Sequence, residues 1–171
     1  MVRPARHLSR GAAVFLFCAL CMAASAQAAS YPFSLRGDVV GVTDGDTIKI
    51  LQDKKQYKIR LNGIDAPEMG QAYGRKSKDY LASLVAGKRV EVIVRDTDRY
   101  GRYVGDVIVG GKTANAELVA AGLAWHYTAY SKDANLAALE KTARAGKLGL
   151  WADPNPIPPW EFRRQKRTKG K

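Results

Sequence analysis

Apolar and polar residues alternate along much of the chain, and alternation with a period of two predicts strands. Residues 35–43 carry Val39, Val40 and Val42 and read as a β-branched strand. Asp44-Gly45 marks a tight turn. Residues 47–51 then set Ile48 and Ile50 against Lys49, and residues 56–62 set Tyr57, Ile59 and Leu61 against Lys58 and Arg60. These three strands predict a meander. The period then changes. Tyr80, Leu81, Leu84 and Val85 recur at helical spacing and predict a helix over about 73–86, with Gly87 as its stop. Alternation returns over 88–95, where Val90, Val92 and Val94 share a side. A strand over 102–109 follows the loop 96–101. Residues 113–121 and 133–145 predict two more helices, the last with Leu136, Leu139 and Thr142 along one side.

Five strands with a helix between the third and fourth predict an α+β, mainly β fold. Its core is a five-stranded Greek-key barrel of the OB type with three packed helices. Pro154, Pro156, Pro158 and Pro159 break any helix and favour an extended path. A mobile basic tail is expected after them.

The first 28 residues read differently. Arg3, Arg6 and Arg10 precede the uncharged stretch 12–24, and Ala26-Gln27-Ala28 fits a small-residue cleavage site. That is the pattern of a secretory signal peptide, and the apolar run is short of the roughly 20 residues of a membrane span. The division expected is therefore 1–28 signal peptide, 29–153 folded domain and 154–171 Pro-rich segment with basic tail. Export to the periplasm or beyond the cell follows, with no transmembrane segment after cleavage. Both cysteines, Cys18 and Cys21, fall in the removed segment. With only His126 left, the usual Cys/His zinc sites are excluded and histidine-based nucleophilic catalysis has little scope.

Losing Arg3, Arg6 and Arg10, with no acid among them, takes the net charge from +12 to +9. Six of the remaining positive charges follow Phe162, so the basic balance owes much to the tail. Such a balance favours polyanionic partners, nucleic acid among them.

Three short segments could carry chemistry. Asp44-Gly45-Asp46-Thr47 is a hairpin turn in its simplest reading; in the other, it aims a carboxylate at a hard cation from the start of a strand. It is not an EF-hand, because the twelfth position from Asp44 is Lys55. In Arg60-Leu61-Asn62-Gly63-Ile64-Asp65-Ala66-Pro67-Glu68, Asp65 and Glu68 have the spacing of a helix capping box. Alternatively Asp65 joins Asp46 on a metal, Glu68 faces a water, and Arg60 reaches a phosphate. Asp98-Arg99-Tyr100-Gly101-Arg102-Tyr103 is either a glycine loop with solvated arginines or the source of a second guanidinium, Arg102, and a phenol, Tyr100.

Taken together, the three segments make one chemistry. Two carboxylates hold Ca²⁺ or Mg²⁺ in an oxygen shell, two arginines answer the charge of a phosphoryl transition state, and a glutamate handles the water. An OB barrel can also bind single strands without cutting them. Acids beside a phosphate repel it unless a cation intervenes, which favours the hydrolytic reading. A surface protein anchored by its basic tail is a third reading.

With these segments in view, the chain resembles the staphylococcal (micrococcal, thermostable) nuclease family. The resemblance rests on Asp-Gly-Asp-Thr at 44–47, Arg60 through Gly63-Ile64-Asp65-Ala66-Pro67-Glu68, Asp98-Arg99-Tyr100-Gly101-Arg102, residues 116–123, and Leu148-Gly149-Leu150-Trp151. It spans about 35–151. It implies an OB-type barrel and Ca²⁺-dependent hydrolysis of DNA and RNA, in which water attacks phosphorus, the 5′-oxygen leaves and 3′-phosphates remain. It also implies Asp46, Asp65 and the main-chain oxygen of Ala66 as metal ligands, with Ala66 standing where the best-known member has Thr. Glu68 is implied as general base or water positioner, Arg60 and Arg102 as phosphate clamps, and Asp44 as a carboxylate that stiffens the turn. Tyr100 is implied at the terminal phosphate or nucleotide, while Tyr127 and Tyr130 compete for the later pocket tyrosine. Trp151 is expected as a core plug and His126 as structural or exposed. A monomer without a stable protein partner is expected.

Overall fold

The computed structural model describes residues 30–169. Residues 1–28, expected to be a signal peptide, and both cysteines lie outside them. Strands β1 (Phe33–Asp44), β2 (Thr47–Gln52) and β3 (Lys55–Leu61) form the expected antiparallel meander. A two-residue strand β4 (Ile64–Asp65) leads to helix α1 (Gly74–Val85). Strands β5 (Arg89–Thr97), β6 (Tyr103–Val109) and the short β7 (Lys112–Thr113) precede helix α2 (Ala114–Ala120) and strand β8 (Trp125–His126). Helix α3 (Ala134–Ala145), a 3₁₀ turn (Gly149–Ala152) and helix α4 (Pro159–Lys169) complete the described chain.

The sheet runs β3-β2-β1-β5-β6-β7, and β3 also pairs with β6, so five strands close on themselves. That closing pairing is parallel, with Arg60 opposite Val104. The alternation seen in the sequence is the barrel interior. Ile48, Ile50, Ile59, Leu61, Val92, Val94 and Val107 are all fully buried there. Leu81 and Val85 of α1 and Leu118 and Val119 of α2 extend that core. Burial of side chains this size stabilises by roughly 1.5–3 kcal/mol each before the entropy of ordering is set against it.

Asp133 caps α3, accepting from the N–H groups of Asn135 and Leu136. The buried stripe of that helix is Leu136 and Ala143, and Thr142 is exposed with its hydroxyl bonded back to the Ala138 carbonyl. Trp151 is the expected plug. It is buried, meets Trp125 edge-on at 4.4 Å, and has the Arg144 guanidinium 3.6 Å from its ring centre. His126 is buried, with Nε2 3.2 Å from Ser131 Oγ.

Two expectations need correction. No helix starts at Asp65, so the capping-box reading of Asp65 and Glu68 fails; Asp65 is strand, paired with Trp125. The segment after the prolines is neither extended nor a loose tail, and the described chain therefore has a fourth α-helix. Pro159 is the first residue of α4, where its fixed φ and missing N–H fit the helix rather than break it.

Candidate active site

Strand register explains why distant acids and arginines meet. In the β2–β3 pair Thr47 lies opposite Arg60, which sets Asp46 beside the Arg60 side chain. The Leu61 N–H donates to the Asp46 carbonyl at 2.8 Å and holds that corner. Asn115 fixes the next one. Its Nδ2 donates to the Asn62 carbonyl at 2.9 Å while its Oδ1 accepts the Val107 N–H at 3.0 Å. The parallel β3–β6 pairing then brings the residues just before β6, Arg102 among them, to the same end of the barrel as Arg60.

Asp46 and Asp65 are 5% and 1% exposed, and both bind Arg60. Arg60 Nη1 pairs with Asp46 Oδ1, and Nη2 donates to Asp65 Oδ1 at 2.7 Å. The other Asp46 oxygen accepts the Ala66 N–H at 2.9 Å, and the Asp46 N–H donates to Asp44 Oδ1 at 3.1 Å. Asp44 thus stiffens the turn, as expected. Gly45 is required here by space. A Cβ on it would lie 2.7 Å from the Cβ atoms of both Ala66 and Ser77.

Charge and burial pull the carboxyls apart. Burial alone would raise Asp46, but the Arg60 guanidinium outweighs it and holds the carboxyl below its ordinary range. Burial, with the Asp46 charge beside it, pushes Asp44 up to about 6. Burial also pushes Asp65 up, against the pull of Arg163 and Arg60.

Glu68 and Asp65 share a second guanidinium that sequence reasoning placed in the tail. Arg163 of α4 donates through Nη1 to Glu68 Oε1 at 2.8 Å and through Nη2 to Asp65 Oδ2 at 2.8 Å. Its signal in the sequence was faint. Trp160 and Arg163 stand three apart after a proline that can open a helix, but a run of basic residues hides the pattern.

Arg102 lines the same cleft but is directed to Asp98. Its Nε donates to Asp98 Oδ2 at 2.6 Å, and its N–H to Oδ1 at 3.0 Å. Tyr100 is 73% exposed, its ring 5.6 Å from the guanidinium carbon of Arg102. Tyr127 and Tyr130 both reach the cleft wall, tilted against each other at 4.8 Å. They differ in support: Tyr127 stacks on Trp160, whereas Tyr130 is exposed. The cleft, of about 750 Å³, is lined by every side chain proposed for the chemistry: Asp46, Arg60, Asp65, Glu68, Arg102 and the tyrosines.

The donor set suits a hard cation. Asp46 and Asp65 converge closely enough to share one guanidinium, and the Ala66 carbonyl belongs to the same turn. Oxygen ligands of this kind are what Ca²⁺ takes. Among the described residues no group of three His, Cys, Asp or Glu side chains is placed to hold a metal ion, and a cation here would need further oxygen ligands from a carbonyl and water.

Comparison with known proteins agrees with this geometry. The profile of the staphylococcal nuclease homologue family matches residues 58–153. The chain is 48% identical over 133 residues to an uncharacterized endonuclease of Escherichia coli O157:H7, covering 77% of this chain and 87% of that one. It is 44% identical over 140 residues to the micrococcal nuclease of Shigella flexneri, covering 75% and 80%. It is 49% identical over 113 residues to a staphylococcal-like nuclease of Arabidopsis thaliana, covering 66% of this chain and 35% of that longer protein. With its closed barrel, its acid–guanidinium cluster and these relatives, the chain belongs to the staphylococcal nuclease family.

Proposed function

We propose that this chain is an exported, Ca²⁺-dependent nuclease that hydrolyses phosphodiester bonds in DNA and RNA. Water attacks phosphorus, the 5′-oxygen leaves, and 3′-phosphate ends remain. One observation carries the reading: Asp46, Asp65 and Glu68 meet around shared guanidinium groups in a cleft that Arg102 also lines. A module that only bound nucleic acid would gain nothing from three acids there.

Asp46, Asp65 and the main-chain oxygen of Ala66 would hold the calcium ion, whose charge would stabilise the negative phosphoryl oxygens. Glu68 is the general base. Its side chain is 41% exposed, so water reaches it, and the 2.8 Å pair with Arg163 aims its carboxylate. Arg60 and Arg102 donate to the equatorial oxygens as charge builds on them. Losing one such preorganised donor costs about 3–4 kcal/mol of barrier. Tyr100 and Tyr127, with Tyr130 beside them, would flank the nucleotide.

Export rests on the basic, apolar and small-residue pattern of residues 1–28. Among the described residues no helix is long and apolar enough to cross a membrane.

Digestion of DNA and RNA with Ca²⁺ and with excess chelator, followed by end-group analysis, tests the reading. Cutting that stops in chelator, returns with Ca²⁺ and leaves 3′-phosphates is the expected result. Cutting that persists in chelator, or 5′-phosphate ends, refutes it.

A further inference from the structure

Helix α4 is seated on the mouth of the cleft. The Trp160 ring stacks on Tyr127 at 5.2 Å and 4°, and meets Trp125 edge-on at 5.5 Å. One turn later Arg163 reaches the acids, and a turn beyond that Lys166 Nζ lies beside Gly70. Residues three apart share a helix face, so one face of α4 carries an aromatic anchor, then Arg163 in the cleft and Lys166 a turn beyond it.

The Arg163 fork takes both oxygens of Asp65, at 2.8 and 3.3 Å, as well as Glu68. Those Asp65 oxygens are also the atoms a cation would use. Three acids against Arg60 and Arg163 leave the cluster with one net negative charge. A divalent cation would turn that to one positive, and a phosphodiester anion would then neutralise it. Without Arg163 each of these states would carry one more negative charge. The planar fork that fits a carboxylate also fits a phosphate. The Arg163 side chain is 39% exposed against 1% for Asp65, and it lines the open cleft.

We propose that Arg163 is a third phosphate-binding residue of the site, delivered by α4. In the free protein Asp65 and Glu68 hold its fork; when cation and substrate bind, the fork passes from Asp65 to a phosphate oxygen of the nucleic acid. This rests on the Ca²⁺-dependent nuclease reading above. Arg163 therefore opposes cation binding while the cleft is free of substrate, and favours substrate once the cation is in place.

Calorimetric titration of the wild-type chain and Arg163→Ala tests both halves, first with Ca²⁺ alone and then with thymidine 3′-phosphate at saturating Ca²⁺. That nucleotide resembles the expected product end and has no internal phosphodiester to cut. The variant is expected to bind Ca²⁺ about tenfold more tightly, and the nucleotide about tenfold more weakly. Arg164→Ala, exposed on the same turn, controls for general charge and is expected to change each affinity by less than about threefold. Arg163→Gln carries the same test if the alanine variant loses its fold in a thermal melt. Unchanged nucleotide affinity overturns the proposal and leaves Arg163 as a mere counter-charge. Unchanged Ca²⁺ affinity, or an equal gain in Arg164→Ala, also overturns it. A wild-type chain that takes up no Ca²⁺ overturns the underlying reading as well, a result distinct from either of these.

Discussion

The Asp46 carboxylate accepts the Ala66 N–H at 2.9 Å, and so ties the turn after β1 to the chain leaving β4. This bond holds two proposed cation ligands together whether or not a cation is present. Asp46→Asn can keep an acceptor for Ala66, but it loses the charge and turns an amide NH2 toward Arg60. It is expected to stay folded, with cleavage reduced by roughly 10²–10³. Asp46→Ala in addition leaves the Ala66 N–H unpaired in a buried place. It should cost about 1–3 kcal/mol more stability than the asparagine variant. Urea unfolding of both variants beside a cleavage assay checks the split, and equal stabilities would contradict it.

Gly45 gives a second test of that corner. Its Cβ-sized space is closed by Ala66 and Ser77, and Ser77 is itself held by a 2.6 Å bond from its hydroxyl to the Leu123 carbonyl. Gly45→Ala must push the acid-bearing turn away from β4, at a cost of about 1–3 kcal/mol. Activity should fall with it, because Asp46 moves relative to Asp65. Gly101 is the contrast. Its φ of +74° strains any other residue, yet nothing lies within 4 Å of a Cβ there. Gly101→Ala should cost about 1 kcal/mol by backbone strain alone, with a smaller effect on Ca²⁺ affinity than Gly45→Ala. A larger loss of Ca²⁺ affinity at Gly101 would reverse this assignment.

The legible parts of the molecule were those with a period. Ile48 and Ile50, Tyr57 and Ile59, and Val90, Val92 and Val94 face one way because the strand pleat repeats every two residues. The site acids were legible as a combination of spacings, although each segment alone reads equally well as a turn or a cap. The unread parts are those that local pattern does not encode. Strands β4 and β8 are two residues each, too short to show a period. The parallel closure of β3 on β6 joins segments more than forty positions apart. Helix α4 was hidden because proline ends most helical patterns and here begins one, and because basic residues read as a solvated tail. The 98-position contact between Arg163 and Asp65 follows from that docking alone.

Glu68→Gln separates proton transfer from assembly. The amide keeps an oxygen for Arg163 but accepts no proton from water. Cleavage should fall by about 10²–10⁴ with Ca²⁺ affinity within a fewfold of wild type. Single-turnover cleavage and calorimetry together check this. Full activity in Glu68→Gln would remove the base assignment.

The Asp98–Arg102 pair predicts a pH dependence with a definite sign. Burial would raise the Asp98 carboxyl, but hydrogen bonds from the Arg102 N–H and guanidinium outweigh it and hold the carboxyl below its ordinary 3.8. A depressed carboxyl adds stability above its unfolded value and loses it as pH falls through the folded one. The melting-temperature gap between wild type and Asp98→Asn should therefore be constant above about pH 5 and shrink as the solution is made more acid than about pH 4. A gap that held steady down to pH 2 would show that the pair contributes no linked charge.

The Trp160–Tyr127 stack makes a prediction about α4 that is independent of catalysis. The helix is strongly basic and has few apolar residues, so helical propensity alone leaves its 11 residues marginal in water. Trp160→Ala removes the anchor that holds the helix on Tyr127 and Trp125. The amides of α4 should then exchange with solvent at least about tenfold faster, the docking of the helix weakening by roughly 2 kcal/mol with the loss of a half-buried ring. The barrel amides should keep their protection, since their core is a separate cluster from the one that Trp160 packs against. Arg163 would lose its hold on Asp65 at the same time. Trp160→Ala and Arg163→Ala should therefore shift Ca²⁺ affinity in the same direction, the first by the smaller amount because an undocked arginine still visits the site. Native-state hydrogen exchange with calorimetry reads both effects. Unchanged α4 protection in Trp160→Ala would mean that the Arg163 ion pairs, rather than the aromatic stack, hold the helix in place.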